Sequence, residues 1–320
     1  MDIEAFTTER AQAWERVSNL SGQRRLTGAE ADELVWLYER GATDLSQLRS
    51  EAPDPQLVSG LSAKLGAARA RILGVRRVPP GTVRRFFEFT MPRALYGQRW
   101  WLLGVSLVVI VTAVIAGVWV NQHPAALAIM GTPEALEEYT GSSFANYYSE
   151  YAHSSFAAHV WTNNARLAAL CVAGGVTGIV PAYVMLSTAV DVGAAGGAMW
   201  AYGRGGMFFE LITPHGLLEL TCVFAAGAVG LKLFWAWIAP GGRTRARALA
   251  NEGRAAATNV VALSLALGLS GLIEGFVTPS SMPSAVKIAI GALAFAAFCV
   301  YMLVAGRRAD RLGAAGLDEA

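Results

Sequence analysis

His215 and Glu219 stand four residues apart at the start of a long apolar stretch. Residues with this spacing share one face of an α-helix, so their side chains are expected to lie close together. Ionisable side chains are costly inside a membrane and therefore face a protein interior or a water-filled cavity. The pair could bind a metal ion, contribute to a ligand site or hold helices together, and its spacing leaves all three open.

Five further polar side chains are expected near this pair, because the membrane spans predicted below place them at a similar depth. They are Asn163, Asn164, Arg204, Glu210 and Glu274. In the structural interpretation, Arg204 forms an intramembrane ion pair with Glu210, Glu219 or Glu274, and either Arg204 or His215 holds Glu219 in its charged state. Such a pair can specify one arrangement of helices without adding net stability.

A metal site is the sharper hypothesis, with His215 and Glu219 as its candidate ligands. Zinc binds imidazole and carboxylate groups in tetrahedral geometry. The residues that could complete the set are Glu210, Glu274, His153 and His159. The chain lacks the His-Glu-x-x-His pattern of zinc hydrolases. We therefore expect no catalytic residues, no enzymatic activity and no cofactor, with zinc as the one metal to consider.

The composition is that of a membrane protein. Hydrophobic residues make up 54% of the 320 and charged residues 16%, and the mean hydropathy is +0.39. Several apolar runs approach the roughly 20 residues that cross a bilayer as a helix. We predict an all-α, polytopic helical membrane protein with about six transmembrane helices. The predicted spans are residues 101–120, 166–188, 194–211, 217–238, 258–277 and 285–305.

The distribution of arginine and lysine predicts the orientation. Residues 121–165 contain neither, whereas arginines gather just before residue 100, in the 240–257 loop and after residue 306. Cytoplasmic loops are enriched in these residues, so both termini are expected in the cytoplasm and residues 121–165 outside. If the weak span 194–211 did not cross, the basic loop would lie outside, so six spans are preferred over five. A re-entrant hairpin is the alternative for this glycine-rich segment.

The domain boundaries follow from the same pattern. Residues 1–78 predict a small cytoplasmic helical domain, in which Thr27 and Glu30 form a capping box. Residues 79–100 predict an amphipathic interfacial linker, 101–306 the transmembrane domain and 307–320 a cytoplasmic tail. Aromatic residues in the outer loop predict an amphipathic helix on the membrane surface. They are Phe144, Tyr147, Tyr148, Tyr151 and Phe156.

Several segments of the chain resemble the stage II sporulation protein M (SpoIIM) family. The most specific is His-Gly-x-x-Glu at residues 214–220, followed by Ala-Gly-Ala-Val-Gly-Leu at 226–231. Support comes from Trp-Thr-Asn-Asn-Ala-Arg at 161–166, from Ile-Glu-Gly-Phe at 273–276 and from Phe-Thr-Met-Pro at 89–92. The resemblance covers nearly the whole chain.

This resemblance implies an integral protein of the bacterial inner membrane. The namesake of the family acts in the engulfment step of sporulation with membrane-anchored peptidoglycan-remodelling partners. Relatives in bacteria that form no endospores are often encoded near RDD-family membrane proteins and MoxR-type ATPases. The partners implied are therefore one of these proteins together with membrane lipids. No nucleic acid is expected, and homo-oligomers are an open alternative.

Three functions are compatible with the sequence. The first is a non-enzymatic membrane scaffold that recruits membrane or cell-envelope partners through its cytoplasmic helices and outer loop. The second is a channel- or transporter-like component with an ion, lipid or small-ligand site, and the third is an intramembrane metallohydrolase. The site of the second would comprise Arg204, Glu210, His215, Glu219 and Glu274.

The predicted orientation is tested by labelling single cysteines placed at Ser142 and Arg245 in intact cells. The thiol at Ser142 should react with a membrane-impermeant reagent added outside, and the thiol at Arg245 should react only after the membrane is opened. Labelling of both positions from outside would contradict the six-span arrangement.

Overall fold

The structure, a computed structural model, describes residues 3–23, 25–51, 54–73, 81–146 and 153–314. Within these ranges every regular element is a helix, which confirms the predicted all-α class. The chain divides into two compact units, Met1–Thr82 and Val83–Ala320, each with its own buried core.

The first unit consists of α1 (Ile3–Gly22), α2 (Gly28–Glu51) and α3 (Pro55–Ile72). Its core is built around Leu20, Leu34 and Leu48, which are almost fully buried. The indole nitrogen of Trp14 donates a hydrogen bond of 2.9 Å to the buried carboxylate of Asp44. A buried carboxylate needs such a donor, so this bond fixes how α1 packs on α2.

The predicted capping box is present at the start of α2. The backbone N–H of Thr27 donates to the Glu30 carboxylate at 2.8 Å, and the backbone N–H of Glu30 donates to the Thr27 hydroxyl at 3.3 Å. These bonds satisfy two amide groups that a helix start leaves unpaired. The bond from the Thr27 backbone also lowers the pKa of Glu30, because it favours the charged carboxylate.

The second unit opens with two short helices, α4 (Thr82–Arg85) and α5 (Met91–Tyr96), joined by a π-helical turn. The short helices α7, α8 and α9 lie at Pro124–Met130, Pro133–Glu138 and Phe144–Asn146. The longer ones are α6 (Arg99–Gln122), α10 (His153–Ala173), α11 (Ile179–Ala201), α12 (Gly205–Ile238), α13 (Arg245–Leu272) and α14 (Ser284–Val300), which a π-helical turn joins to α15 (Gly306–Ala314).

Five helices of the described chain are long and apolar enough to cross a membrane. They are Arg99–Gln122, Ile179–Ala201, Gly205–Ile238, Arg245–Val277 and Ser284–Gly313. A polytopic helical membrane protein is therefore confirmed. The sixth long helix of the bundle, α10, packs against α12 and α13 but is not apolar enough to qualify by composition.

The structure corrects the limits of the second and third predicted spans. The predicted span 166–188 is broken, because α10 ends at Ala173 and Gly178 takes a left-handed conformation with φ of 70°. The predicted span 194–211 comprises the end of α11, the turn at 202–204 and the start of α12, and Gly203 in that turn has φ of 70°. Glycine adopts this conformation readily, so it ends a helix inside a run that hydropathy reads as continuous.

Most arginines of the second unit lie at one end of its helical bundle. There, Lys232 near the end of α12 donates to the Gly97 carbonyl at 3.2 Å and lies 2.9 Å from the carboxylate of Glu252. This arginine-rich end carries Arg84, Arg85, Arg93, Arg99, Arg243, Arg245, Arg247, Arg254, Arg307, Arg308 and Arg311. The start of α6, the end of α12, the start of α13 and helix α15 lie at this end.

The opposite end holds the turn between α11 and α12, together with α7, α8 and α9. Arg204 in that turn contacts Glu137 of α8, and Ser284 at the start of α14 donates to Glu210 near the start of α12. The long helices therefore alternate in direction: α6, α11 and α13 run away from the arginine-rich end, whereas α10, α12 and α14 return to it.

Residues of the predicted outer loop and of the predicted interfacial linker pack into the second unit more than their sequences predict. Phe144 and Phe156 pack with Val160 and Leu211 inside the bundle, so these two rings do not lie on a surface. Tyr147, Tyr148 and Tyr151 lie outside the described residues. In the segment predicted as an interfacial linker, Met91 and Leu95 are buried in the main core.

The chain after residue 306 is also part of the packed unit. Helix α15 contacts α5, where Gly306 lies against the backbone of Pro92. Arg93 of α5 lies 3.5 Å from the carboxylate of Asp310. The segment predicted as a cytoplasmic tail therefore begins as a packed helix.

Helices α6 and α11 approach each other through small residues. Gly193 lies against the backbone of Ala113, and Gly197 against the backbone of Gly117. Each helix thus presents two small residues four positions apart, a spacing that lets helix backbones come close in membranes. The glycine-rich part of α11 is explained by this contact.

We predict that Gly193→Ala destabilises the protein, because its methyl group would meet the Ala113 carbonyl. Overpacking of this kind costs about 1–3 kcal/mol. The matched control is Gly104→Ala on α6, where the added methyl meets no atom within 4 Å. The control should be neutral or slightly stabilising, since alanine favours helices by about 0.5–1 kcal/mol over glycine. Thermal melts of the detergent-purified variants measure both, and equal melting temperatures would contradict the close α6–α11 contact.

Candidate functional site

The middle of the second unit contains a polar cluster of three ionisable side chains: His215, Glu219 and Glu274. One nitrogen or oxygen atom from each lies within 4.8 Å of the others. His215 and Glu274 are each only 5% exposed, and Glu219 is partly buried. His215 and Glu219 lie one turn apart on α12, as their spacing predicts.

Glu274 reaches the cluster from a π-helical turn at Ile273–Val277, which continues α13. The turn is closed by the backbone N–H of Thr278, which donates to the Ile273 carbonyl five residues earlier at 3.0 Å. One face of this turn carries Glu274 and Thr278 into the core beside His215. Turns of this type are rare and occur frequently at functional sites.

The imidazole of His215 lies between two partners. Its Nδ1 is 3.3 Å from the hydroxyl oxygen of Thr278, and its Nε2 is 3.9 Å from Oε1 of Glu274. The hydroxyl of Ser270 donates to the backbone carbonyl of His215 at 3.0 Å. The ring of His215 is therefore tied to the end of the π-helical turn, and its backbone is tied to α13.

Glu219 joins three helices. It accepts a hydrogen bond of 2.9 Å from the Asn164 amide on α10 and one of 3.4 Å from the Ser270 hydroxyl on α13. One of its carboxylate oxygens also lies within 4.8 Å of a carboxylate oxygen of Glu274. Two carboxyl groups this close cannot both be charged without a cation, so they share either a proton or a positive ion.

No described arginine or lysine forms an ion pair with either carboxylate of the cluster. The nearest candidate, Lys287 of α14, donates instead to the backbone carbonyl of Thr278 at 2.8 Å. The negative charge of the cluster is therefore not balanced by any basic side chain in the described part of the protein.

Arg204 and Glu210 are not part of this cluster, which corrects the predicted pairing of Arg204 with Glu219. Arg204 lies 2.6 Å from the carboxylate of Glu137 and donates to the hydroxyl of Thr140 at 2.6 Å. The reason is positional, since Arg204 precedes α12 by one residue whereas Glu219 lies four turns into it. Glu210 accepts a hydrogen bond from Ser284.

The two neighbouring asparagines point in different directions. Asn164 contacts Glu219, whereas Asn163 is exposed. Among the other candidate ligands, His159 is also exposed on α10, and the side chain of His153 lies outside the described part of the chain. The structure thus brings together His215, Glu219, Glu274 and Asn164 from the predicted set.

Ser270 and Thr278 belong to the cluster but were absent from the predicted set. Both are almost fully buried and both contact His215. Serine and threonine are common in membrane helices, so their type carries little signal. The spacing of Ser270 and Glu274, four residues apart like His215 and Glu219, was the one available indication.

The part of the chain that contains this cluster matches a known protein family. The family model for stage II sporulation protein M matches residues 106–279, more than half of the chain. The chain belongs to the SpoIIM family. The matched region contains every residue of the polar cluster and ends one residue after Thr278. The family resemblance predicted from the His-Gly-x-x-Glu segment is confirmed.

The first unit of this SpoIIM-family chain matches a different description. Residues 4–74 match a domain of unknown function, DUF8413. No curated protein and no solved structure matches the chain. The two family matches fall on either side of the boundary between the two compact units.

The contacts of Arg204 predict that its contribution to stability is coupled to Glu137, whereas the sequence predicted coupling to Glu219. Arg204→Gln and Glu137→Gln together should lower the melting temperature by less than the sum of the single losses. Arg204→Gln and Glu219→Gln should simply add, because independent sites are additive. Since Glu137 is 59% exposed, the coupling should not exceed about 1 kcal/mol. Thermal melts of the two double-mutant cycles measure it, and coupling to Glu219 would contradict the observed contacts.

Proposed function

We propose that this SpoIIM-family chain is a non-enzymatic membrane scaffold that binds a helix of another membrane protein along the exposed face of α10. The observation that carries this proposal is a polar stripe on that face. The stripe comprises His159, Thr162, Asn163 and Arg166, all exposed. We refer to these four residues as the α10 stripe.

The depth of the stripe supports a protein partner. The adjacent residue Asn164 bonds to Glu219, which lies near the middle of the 34-residue helix α12. Arg166 is therefore near mid-depth of the bundle. Among the described residues, neither Asn163 nor Arg166 has a hydrogen-bond or ion-pair partner. Arginine at the centre of a membrane helix costs roughly 2.5–3.5 kcal/mol on insertion scales, so it normally faces protein or water.

Helix α6 provides the contrast. Its outward side chains are large and apolar, and Leu107 and Ile115 are 66% and 63% exposed. Such a surface suits lipid chains, whereas the α10 stripe does not. A partner helix with a carboxylate opposite Arg166 would satisfy the guanidinium group with a charge-assisted hydrogen bond.

The arginine-rich end supports the orientation with both termini in the cytoplasm, since cytoplasmic loops of bacterial membrane proteins are enriched in arginine. A groove of about 1040 Å³ opens at this end between α6, α12 and α14. Apolar side chains such as Leu103, Ile110 and Phe224 line its length, and Arg99, Arg307, Arg308 and Arg311 line its mouth. This combination suits an anionic phospholipid, because its phosphate attracts arginine while its chains need apolar contact.

The first unit offers a second recruiting surface. Trp36 on α2 is 55% exposed and Val35 beside it is 39% exposed, although both are large and apolar. Exposed aromatic residues are enriched where proteins bind one another. We propose that this surface binds a cytoplasmic partner, for which the MoxR-type ATPases implied by the family resemblance are candidates, as RDD-family proteins are for the α10 stripe.

The other two functions have less support. A channel or transporter site made of five residues would need Arg204 and Glu210, which bond to other residues near the opposite end of the bundle. A metallohydrolase would need a substrate to reach His215 and Glu274, each of which is only 5% exposed.

Photo-crosslinking in native membranes tests the scaffold. A photoreactive residue replacing Asn163 should form an adduct with another polypeptide, because the stripe is covered by a partner helix. The same residue replacing Leu107 of α6 is the matched control and should react only with lipid. Adding Arg166→Leu to the first variant should reduce its protein adduct.

The protein adduct at Asn163 could consist only of a second copy of this chain, which two differently tagged copies would reveal. That result would indicate a homo-oligomer and contradict the proposal that the stripe binds a different membrane protein. Lipid adducts alone at both positions would contradict the scaffold proposal itself.

A further inference from the structure

The geometry points to a divalent transition-metal site formed by His215, Glu219 and Glu274, and the bound ion would join α12 to the π-helical turn after α13. Zinc is the ion that this set of ligands fits best. This inference goes beyond the scaffold function and does not depend on the α10 stripe. It rests on four features of the cluster: its ligand atoms, an unsatisfied carboxylate oxygen, the orientation of the histidine and the net charge.

The ligand atoms are of suitable type and near a suitable distance. One imidazole nitrogen and two carboxylate oxygens lie within 4.8 Å of one another. Ligand atoms on a tetrahedral zinc ion stand about 3.3 Å apart, because each bond is about 2.0–2.1 Å long. The separation of Nε2 of His215 from Oε1 of Glu274 is 3.9 Å. Binding of the ion would draw these atoms together by the remaining difference.

The carboxylate of Glu274 has an unsatisfied oxygen. Its side chain is only 6% exposed, and its Oε2 atom is buried without a hydrogen-bond partner among the described residues. Buried polar atoms are nearly always satisfied, and an exception suggests an ion or water at that place. This observation is independent of the spacing of the three side chains.

The hydrogen bonds orient His215 as a metal ligand. The hydroxyl of Thr278 donates to the Ile273 carbonyl at 3.4 Å, so it is left to accept a hydrogen bond from Nδ1 of His215. With its proton on Nδ1, the ring carries the lone pair on Nε2, which faces Glu274. Metal-binding histidines commonly donate their second ring nitrogen to a neighbouring acceptor in this way.

The charge balance favours a divalent ion. A neutral histidine and two carboxylates carry a net charge of −2, and no described basic side chain pairs with them. A divalent cation makes the cluster neutral, which the low-dielectric interior of a membrane protein requires. One proton shared between the carboxyl groups would leave one negative charge uncompensated, so without a divalent ion neutrality requires a proton on each carboxyl group.

The surrounding groups would hold the ligands in place. Asn164 and Ser270 both donate to the carboxylate of Glu219. Hydrogen bonds of this kind orient ligating carboxylates, and their removal typically weakens metal affinity by about 10–100-fold. Ser270 is therefore predicted to be a positioning residue, distinct from the ligands.

Metal analysis of the detergent-purified full-length protein tests the site. Elemental mass spectrometry should find about one zinc ion per chain, held by three protein ligands with the fourth position left to water. A strong chelator should remove the metal and lower the melting temperature, and added Zn²⁺ should restore it. His215→Ala and Glu274→Gln should abolish this response, whereas Ser270→Ala should retain it with about tenfold weaker affinity.

Glu210→Gln is the matched control, because Glu210 is a carboxylate on the same helix outside the cluster. It should bind zinc like the unaltered protein. Loss of zinc in the control as well would overturn the assignment to this cluster. Should the ligand variants fail to fold, the unaltered protein decides alone. If it contains no stoichiometric metal and, after chelation, responds to neither Zn²⁺ nor Mn²⁺, the cluster is a proton-sharing carboxyl pair and the proposal is wrong.

Discussion

Close approach of helix backbones around α12 is the constraint on which the rest of the second unit depends. Gly230 of α12 lies against the Cys171 carbonyl of α10, and Gly291 of α14 lies against the Pro214 carbonyl of α12. Lipid chains are as apolar as leucine, so burial alone does not hold membrane helices together, and close van der Waals packing must do so. Glycine at these crossings allows the distances at which side-chain hydrogen bonds can reach between helices.

The polar cluster is a consequence of this packing. Because α10 and α13 lie close to α12, the short side chains of Asn164 and Ser270 can both reach Glu219. Larger separations between the helices would leave the carboxylates buried without hydrogen-bond donors. Each unsatisfied polar group costs roughly 1–3 kcal/mol in a protein interior, and several kcal/mol in hydrocarbon. The hydrogen bonds of the ionisable residues in the core therefore depend on the glycines at the helix crossings.

Much of the fold follows from the sequence. Hydropathy predicts the all-α class, and the arginine distribution predicts which helix ends lie at the same end of the bundle. The limits of two spans were wrong because Gly178 and Gly203 end helices in apolar surroundings, where composition does not change. Within the site, the proximity of His215 and Glu219 follows from their spacing along α12. The contribution of Glu274 depends on tertiary packing, and the partner of Arg204 depends on α8, which local patterns cannot predict.

The π-helical turn at Ile273–Val277 has a consequence for how the site is encoded. Such a turn accommodates one more residue than an α-helical turn, and each residue of an α-helix advances the chain by about 100° around its axis. Deleting a single residue there would leave the span just as apolar and just as helical. It would close the turn to α-helical width, so Thr278 would keep its bond to the Ile273 carbonyl while the residues between them change their angular positions around the axis. The direction in which Glu274 leaves the helix therefore depends on the number of residues in this turn, which neither hydropathy nor helix propensity records.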